Sequence, residues 1–183
     1  MKRITFTIGL VSALLITVGL EAQERKNGIR AGYLSSASTM DGSSALQGFY
    51  AGFSHDRPIG QSKFLYLHGG TEYTQAGWEI TSNTFHRLHY ISLPSALKVK
   101  LGPVFVQAGL ALNFKVAERV YMDGEDAKTD ENKSRIFNLP VLAGAGLMLG
   151  PVTIEARYNY GLLNVNDFEE KIGYLQLGAG FHF

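Results

Sequence analysis

Between residues 104 and 116 the chain alternates with a two-residue period. Val104, Val106, Ala108, Leu110, Leu112, Phe114 and Val116 are apolar, and Gln107, Gly109, Asn113 and Lys115 fall among the positions between them. That period belongs to a β-strand whose two faces meet different surroundings. Its thirteen residues exceed the common globular strand of about 5–6 residues and suit a tilted strand crossing a bilayer, which needs roughly 9–11. One face then meets hydrocarbon and the other something polar.

Seven more stretches read as strands, and after the first 22 residues no helical period is sustained over three turns. With the first they are expected at 28–35, 47–56, 63–78, 88–101, 104–116, 134–149, 152–163 and 172–183. The apolar faces include Ile29, Ala31 and Tyr33; Phe49, Ala51 and Phe53; Leu65, Leu67, Thr71 and Tyr73; and Ile91, Leu93, Leu97 and Val99. They continue with Phe137, Leu139, Val141, Ala143, Leu147 and Leu149, then Val152, Ile154, Ala156, Tyr158 and Tyr160, and end on Leu175, Leu177, Ala179, Phe181 and Phe183. Pro94 and Pro140 fall inside two of these strands, where a residue that cannot donate to the ladder should mark a bulge or a local break.

Two segments repeat a hairpin. Ser92-Leu93-Pro94 leads to Leu101-Gly102-Pro103-Val104, and Asn138-Leu139-Pro140 leads to Leu149-Gly150-Pro151-Val152. Gly-Pro between apolar strands signals a tight turn, whereas the alternate connections, above all 119–133, are long and polar. The fold expected is all-β, an eight-stranded antiparallel up-and-down transmembrane β-barrel, with short turns and both termini at the periplasmic side. Closure makes 28–35 the partner of the last strand, because an open edge in lipid would leave backbone groups unsatisfied.

Ahead of the strands stand Met1-Lys2-Arg3, a mostly apolar run over 4–20, and Ala22 before Gln23. This is export-signal chemistry, so 1–22 reads as a signal peptide and 23–183 as the barrel domain. Leu20 departs from the small residue preferred three places before the cut. The chain has no cysteine, which excludes disulfides, thiolate metal sites and a lipoprotein anchor. A formal charge of +1 without basic blocks gives nucleic acid no footing as a partner.

Tyr90-Ile91-Ser92-Leu93-Pro94, the Leu101-Gly102-Pro103 turn and the terminal Gly178-Ala179-Gly180-Phe181-His182-Phe183, with the export signal, resemble the PorT-like outer-membrane β-barrel family across nearly all of 23–183. The resemblance implies an eight-stranded barrel of the Gram-negative outer membrane, some relatives being associated with secretion machinery. It supplies no catalytic set and no cofactor.

Facing inward by alternation are Arg30, Glu72, Lys98, Lys100, Lys115, Glu155 and Arg157. An eight-stranded interior is only wide enough for side chains to fill, so these charges are expected to pair as a structural polar network. The histidines, His55, His68, His86, His89 and His182, show no metal spacing, and His86 and His89 fall on opposite strand faces. Ser54-His55-Asp56 has the letters of a hydrolase, yet a strand puts His55 opposite the other two. Asp123, Glu125, Asp126, Asp130 and Glu131 depart from the EF-hand pattern and read as a solvated loop. Tyr73, Trp78, Tyr158, Tyr160, Phe181 and Phe183 suit the aromatic girdles of a membrane barrel.

The reading is therefore an outer-membrane barrel with a filled polar lumen that acts through its outer loops or by docking to envelope or secretion components, without catalytic, cofactor or metal residues. Its partners would be outer-membrane lipid and the barrel assembly machinery, for which Phe181 and Phe183 are the candidate signal, and other envelope proteins. Two alternatives stay open. A lipid-modifying barrel enzyme needs a nucleophile and base near the rim. A secreted soluble barrel holding a small ligand needs the opposite dressing, apolar inside and polar outside.

Overall fold

The computed structural model describes residues 27–39, 42–81, 84–122, 125–126, 134–164 and 170–183. Residues 1–22 lie outside them, as do Asp123, Gly124, Asp130 and Glu131 of the acidic loop. Ten strands follow in order: β1 (Asn27–Ser38), β2 (Ser44–Pro58), β3 (Leu65–Thr81), β4 (Thr84–Leu101), β5 (Val104–Met122), β6 (Glu125–Asp126), β7 (Phe137–Asn138), β8 (Pro140–Leu149), β9 (Val152–Gly161) and β10 (Ile172–His182). Two are two-residue pieces: β6 pairs with the end of β5, and β7 continues the line of β8. The other eight close a ring, each antiparallel to its sequence neighbour, with β1 on β10 sealing it through Gly28 opposite His182 and Tyr33 opposite Leu177.

Closure follows from what each wall carries. Ile29, Phe53, Leu97, Val106, Leu147, Ile154 and Leu177 all face outward and are roughly half exposed, a dressing that costs stability in water and gains it in lipid. The soluble-barrel alternative fails on this facing. At one end β4 meets β5, and β8 meets β9, through two-residue turns in which Gly102 and Gly150 adopt φ 65° ahead of a proline, the glycine-first chemistry of a tight hairpin.

The opposite end differs from expectation. Residues 79–87 were expected as a connection, but β3 and β4 run on until Thr81 pairs with Thr84, so only 82–83 separate them. β5 likewise continues past 116 to Met122. An irregularity makes this extension possible: His89 pairs with Ala117 but Tyr90 with Lys115, leaving Val116 as an extra residue. The bulge resets the alternation, so Glu118 and Val120 turn inward. The prolines produce breaks without slippage. Between β3 and β4 the ladder skips from Gly69–Ser95 to Glu72–Ser92 around Pro94, and between β5 and its partner it skips from Leu110–Val141 to Asn113–Asn138 around Pro140, with register kept on both sides.

Trp78 corrects the girdle reading. It is 4 % exposed and points into the barrel, where it packs with Leu34, Ala76, Leu88, Tyr90, Ile172 and Tyr174 as an apolar layer. Tyr73, Tyr158, Tyr160, Phe181 and Phe183 do face outward. Large lumen side chains are matched by small ones across the strands: Arg30 lies between Gly52 and Gly180, Glu155 between Gly146 and Gly178, and Arg157 has Gly144 on one side.

Two outcomes follow. The fluorescence of Trp78, the single tryptophan, will be barely quenched by brominated lipid chains; quenching comparable to that of an added outward tryptophan would return it to the girdle. Replacing Gly144 with valine places a Cβ 2.6 Å from Arg157 Cγ, close to the backbone where the stem cannot yield. Overpacking of this kind costs about 1–3 kcal/mol, to be read from urea unfolding in detergent.

Candidate functional site

The lumen holds a continuous polar network built around Glu72. Its carboxylate takes Arg157 Nη2 on both oxygens, at 2.8 and 3.0 Å, and is in ion-pair contact with Arg30. Arg30 also reaches Glu155 at 3.5 Å, which Arg157 Nε approaches at 3.6 Å. Glu155 accepts further bonds from the Tyr50 hydroxyl at 3.2 Å and Gln107 Nε2 at 3.5 Å. Toward the short turns, Asp56 accepts from Lys98 at 3.0 and 3.1 Å and pairs with Lys100 at 3.0 Å.

His68 joins the two halves. Arg30 Nη1 lies 2.8 Å from His68 Nε2, and His68 Nδ1 lies 2.5 Å from Asp56 Oδ1. A guanidinium can only donate, so Nε2 accepts, and the hydrogen on Nδ1 is donated to Asp56. The imidazole is neutral and works as a relay of hydrogen bonds between two charged clusters. Three aromatic rings lie close to the cations: Lys100 Nζ is 3.8 Å from the Tyr66 centroid, Lys98 Nζ 4.7 Å from Phe105 and Arg157 Cζ 5.3 Å from Tyr50.

Six of the seven charges read from alternation, Arg30, Glu72, Lys98, Lys100, Glu155 and Arg157, meet in this network. Lys115 does not. It belongs to a second cluster at the loop end, where its ammonium donates to Glu118 Oε2 at 2.5 Å and to the Ser134 carbonyl. Asp56, Tyr50 and Gln107 are additions to the expected network, and His68, which alternation places in the lumen with Glu72, is not among the charges expected to pair. Strand parity would have found Asp56, because it shares a face with Tyr50 and Ser54 and opposes His55. That histidine is exposed and bonds Asn27 Oδ1 at 2.7 Å, so the Ser54-His55-Asp56 run makes no relay.

Ser134, His86 and Glu118 do converge. His86 Nε2 lies 2.5 Å from Glu118 Oε1 and 3.4 Å from Ser134 Oγ. A nucleophile relay places acid and serine on opposite ring nitrogens, whereas both partners here use the same one. The Ser134 main-chain nitrogen also donates to Glu118 Oε1 at 3.0 Å, so the cluster ties the returning chain to the barrel mouth.

Between the two clusters the lumen is filled. Asn159 donates to Gln176 at 2.9 Å and Asn113 to the Tyr174 hydroxyl at 3.1 Å, next to the apolar layer around Trp78. At the short-turn end a cavity of about 10 Å³ is left among Arg30, Ser54, His68, Lys98, Thr153, Glu155, Gly180 and His182, room for about a single water molecule.

Known proteins share this architecture. Residues 12–167 match the family model described as outer membrane protein beta-barrel domain. Among solved structures, Neisserial surface protein A is 21% identical with a TM-score of 0.59, the alignment covering 86% of this chain and 97% of that one. Ail, the attachment invasion locus protein of Yersinia pestis, is 20% identical with a TM-score of 0.51, covering 88% and 100%. No curated protein matches the chain.

Glu72 is the anion both arginines share, so Glu72→Gln will leave buried positive charge uncompensated and cost about 3–5 kcal/mol. Adding Arg30→Met to it should recover part of that loss in a double-mutant cycle. Urea unfolding in lipid vesicles, followed through Trp78, measures both; a strictly additive cycle would show that the two side chains are not coupled.

Proposed function

The chain belongs to the outer membrane protein β-barrel domain family, and from that premise we propose that it acts without catalysis, as a rigid barrel whose extended outer strands and loops, or whose periplasmic rim, dock other envelope components. Its place in the cell outer membrane follows from the family. The supporting observation is that the lumen charges are used up on one another: Asp56, Glu72 and Glu155 each hold at least two cationic or donor groups. Chemistry would need a group held in reserve. The Ser134–His86–Glu118 cluster is turned to anchoring by its single shared nitrogen, which weighs against the lipid-modifying alternative. The finer PorT-like assignment rests on Tyr90 to Pro94 and Gly178 to Phe183, which occupy β4 and the end of β10.

Capture of the tagged barrel from crosslinked, intact envelopes tests this reading. A reproducible envelope partner lost on shortening the 123–133 connection supports docking. Release of acyl chains from outer-membrane lipid by the refolded protein, abolished in Ser134→Ala, would overturn it.

Assembly is the second proposed partnership. Phe181 and Phe183 point outward at the end of β10, and Phe183 is held by its nitrogen donating to the Asn27 carbonyl at 2.8 Å. We expect Phe183→Asp to impair insertion in cells far more than Phe137→Asp, although both side chains are outward, at 41% and 36% exposure. Heat-modifiable gel mobility in envelope fractions reads the difference. Equal loss in cells, or a Phe183 defect that persists when the purified chain is refolded in detergent, leaves packing as its only role.

A further inference from the structure

Charge appears on the outward wall of β3, β4 and β5 between two rows that carry aromatic side chains. Register sets out the rows. Tyr73, Ile91 and Phe114 lie side by side, Phe114 packing on Phe137 with centroids 5.4 Å apart. Two residues farther along come Gln75, His89 and Ala117, then Gly77, Arg87 and Arg119, and last Glu79, Phe85 and Tyr121. At roughly 3.3 Å per residue and a tilt near 40° the arginine row stands about 10 Å above the aromatic row. That carries the arginine row toward the headgroup end of the wall.

Arg87 and Arg119 are direct cross-strand neighbours, and like charges so placed destabilise a sheet. Neither has an ion-pair partner among the described side chains. Glu118 points the other way and is taken by His86 and Lys115, while Glu79, one row higher beside Phe85, makes no ion pair with Arg87. Arg87 lies over the Phe85 ring, 5.2 Å from its centroid, and its Nε is buried without a hydrogen-bond partner.

His89 adds another unused donor. Gln75 Nε2 donates to the Tyr73 hydroxyl at 3.3 Å, and that hydroxyl lies 2.5 Å from His89 Nδ1. With the hydroxyl donating into Nδ1, the ring hydrogen is on Nε2, which is buried and also lacks a partner. Two guanidinium groups and an imidazole N–H therefore occupy adjacent rows of one outward face with no acceptor for them among the described side chains. A tetrahedral oxyanion with several acceptor oxygens meets that demand, and arginine is the side chain suited to it. The patch continues downward into the hydrocarbon-facing wall, so the anion it fits is one carried on a lipid.

We propose that Arg87, Arg119 and His89 form a binding site for the phosphate of an outer-leaflet lipid headgroup, with Gln75 and Tyr73 as positioning residues for His89. Bound phosphate neutralises the arginine pair and fixes the barrel's depth and rotation against its lipid shell.

The test compares the wild-type barrel with the R87Q/R119Q variant in detergent, using heat-modifiable mobility. Three probes are added in turn: bis-phosphorylated lipid A, the same lipid with its phosphates removed, and inorganic phosphate. The phosphorylated lipid should raise the wild-type midpoint by about 5 °C, the shift expected when a ligand at many times its Kd binds only the folded state, and should leave the variant unmoved. Without lipid the variant should be as stable as wild type or more so, because a repulsion has been removed. R57Q, a charge loss on the outward wall near the other end, should keep the lipid response. R119Q alone gives the same comparison if the double variant does not fold. An equal response to dephosphorylated lipid, an equal response of the double variant, or loss of response in R57Q would each overturn the site. So would saturation by inorganic phosphate alone, which would make it a soluble-anion site. A lower lipid-free midpoint in the variant would assign the arginines to the acidic 123–133 connection instead.

Discussion

Two arginines and two glutamates inside a closed eight-stranded wall set the terms for the rest of this molecule. Arg157 and Glu72 are each no more than 2 % exposed as side chains, and a charge so placed persists only if the wall opposite supplies its partner. Those partners come from β1, β3 and β9, so the network can form only in the closed ring. Closure and charge pairing are thus one event: an open sheet would leave both its edges and its ions unsatisfied in lipid.

Space for that network comes from glycine. Several of the bulky charged residues sit across from residues with no side chain, as Arg30 does between Gly52 and Gly180. A Cβ on Gly52 would stand 2.9 Å from Glu72 Cγ. The glycine content of the chain, 21 residues, has a packing cause at such positions: small and large alternate so that side chains from facing walls interdigitate.

Alternation alone reveals which way most side chains point, because the strand period is 2 and one wall must be apolar. It serves for Arg30 and Arg157, whose outward neighbours are aliphatic or aromatic, and for Glu72, flanked by Thr71 and Tyr73. It could not give partners, since pairing across the lumen joins residues as far apart as Glu72 and Arg157, and no local pattern encodes that distance. Asp56 is masked by its short Ser-His-Asp run, in which the histidine lies on the opposite face of the strand. Trp78 was misassigned for another reason: amphipathic aromatic residues are common at membrane rims, but parity with Thr74 and Ala76 outweighs residue type. The extended ends of β3 and β4 are hidden by composition, as 79–87 is mostly polar, with Ile80 and Phe85 its apolar residues, and looks like a loop until its pairing is known. Val116 illustrates the limit most directly, because one extra residue turns Glu118 from wall to lumen and no period survives it.

The two walls treat charge in opposite ways. Inside, Arg30, Arg157 and Lys98 face Asp56, Glu72 and Glu155, three against three, with Lys100 reaching in from the mouth at 17% exposure. Such a balanced interior resists change and asks for nothing from outside. Outside, between the Tyr73–Phe114 row and the stacked Phe85–Tyr121 pair, Arg87 and Arg119 stand together with no carboxylate joined to them among the described side chains. A folded chain tolerates that repulsion in water through screening, but at a lipid boundary screening is poor and the imbalance must be met by a neighbour. The interior therefore supplies stability, and the proposed lipid-phosphate site lies on the unbalanced outer rim that the extended strands create.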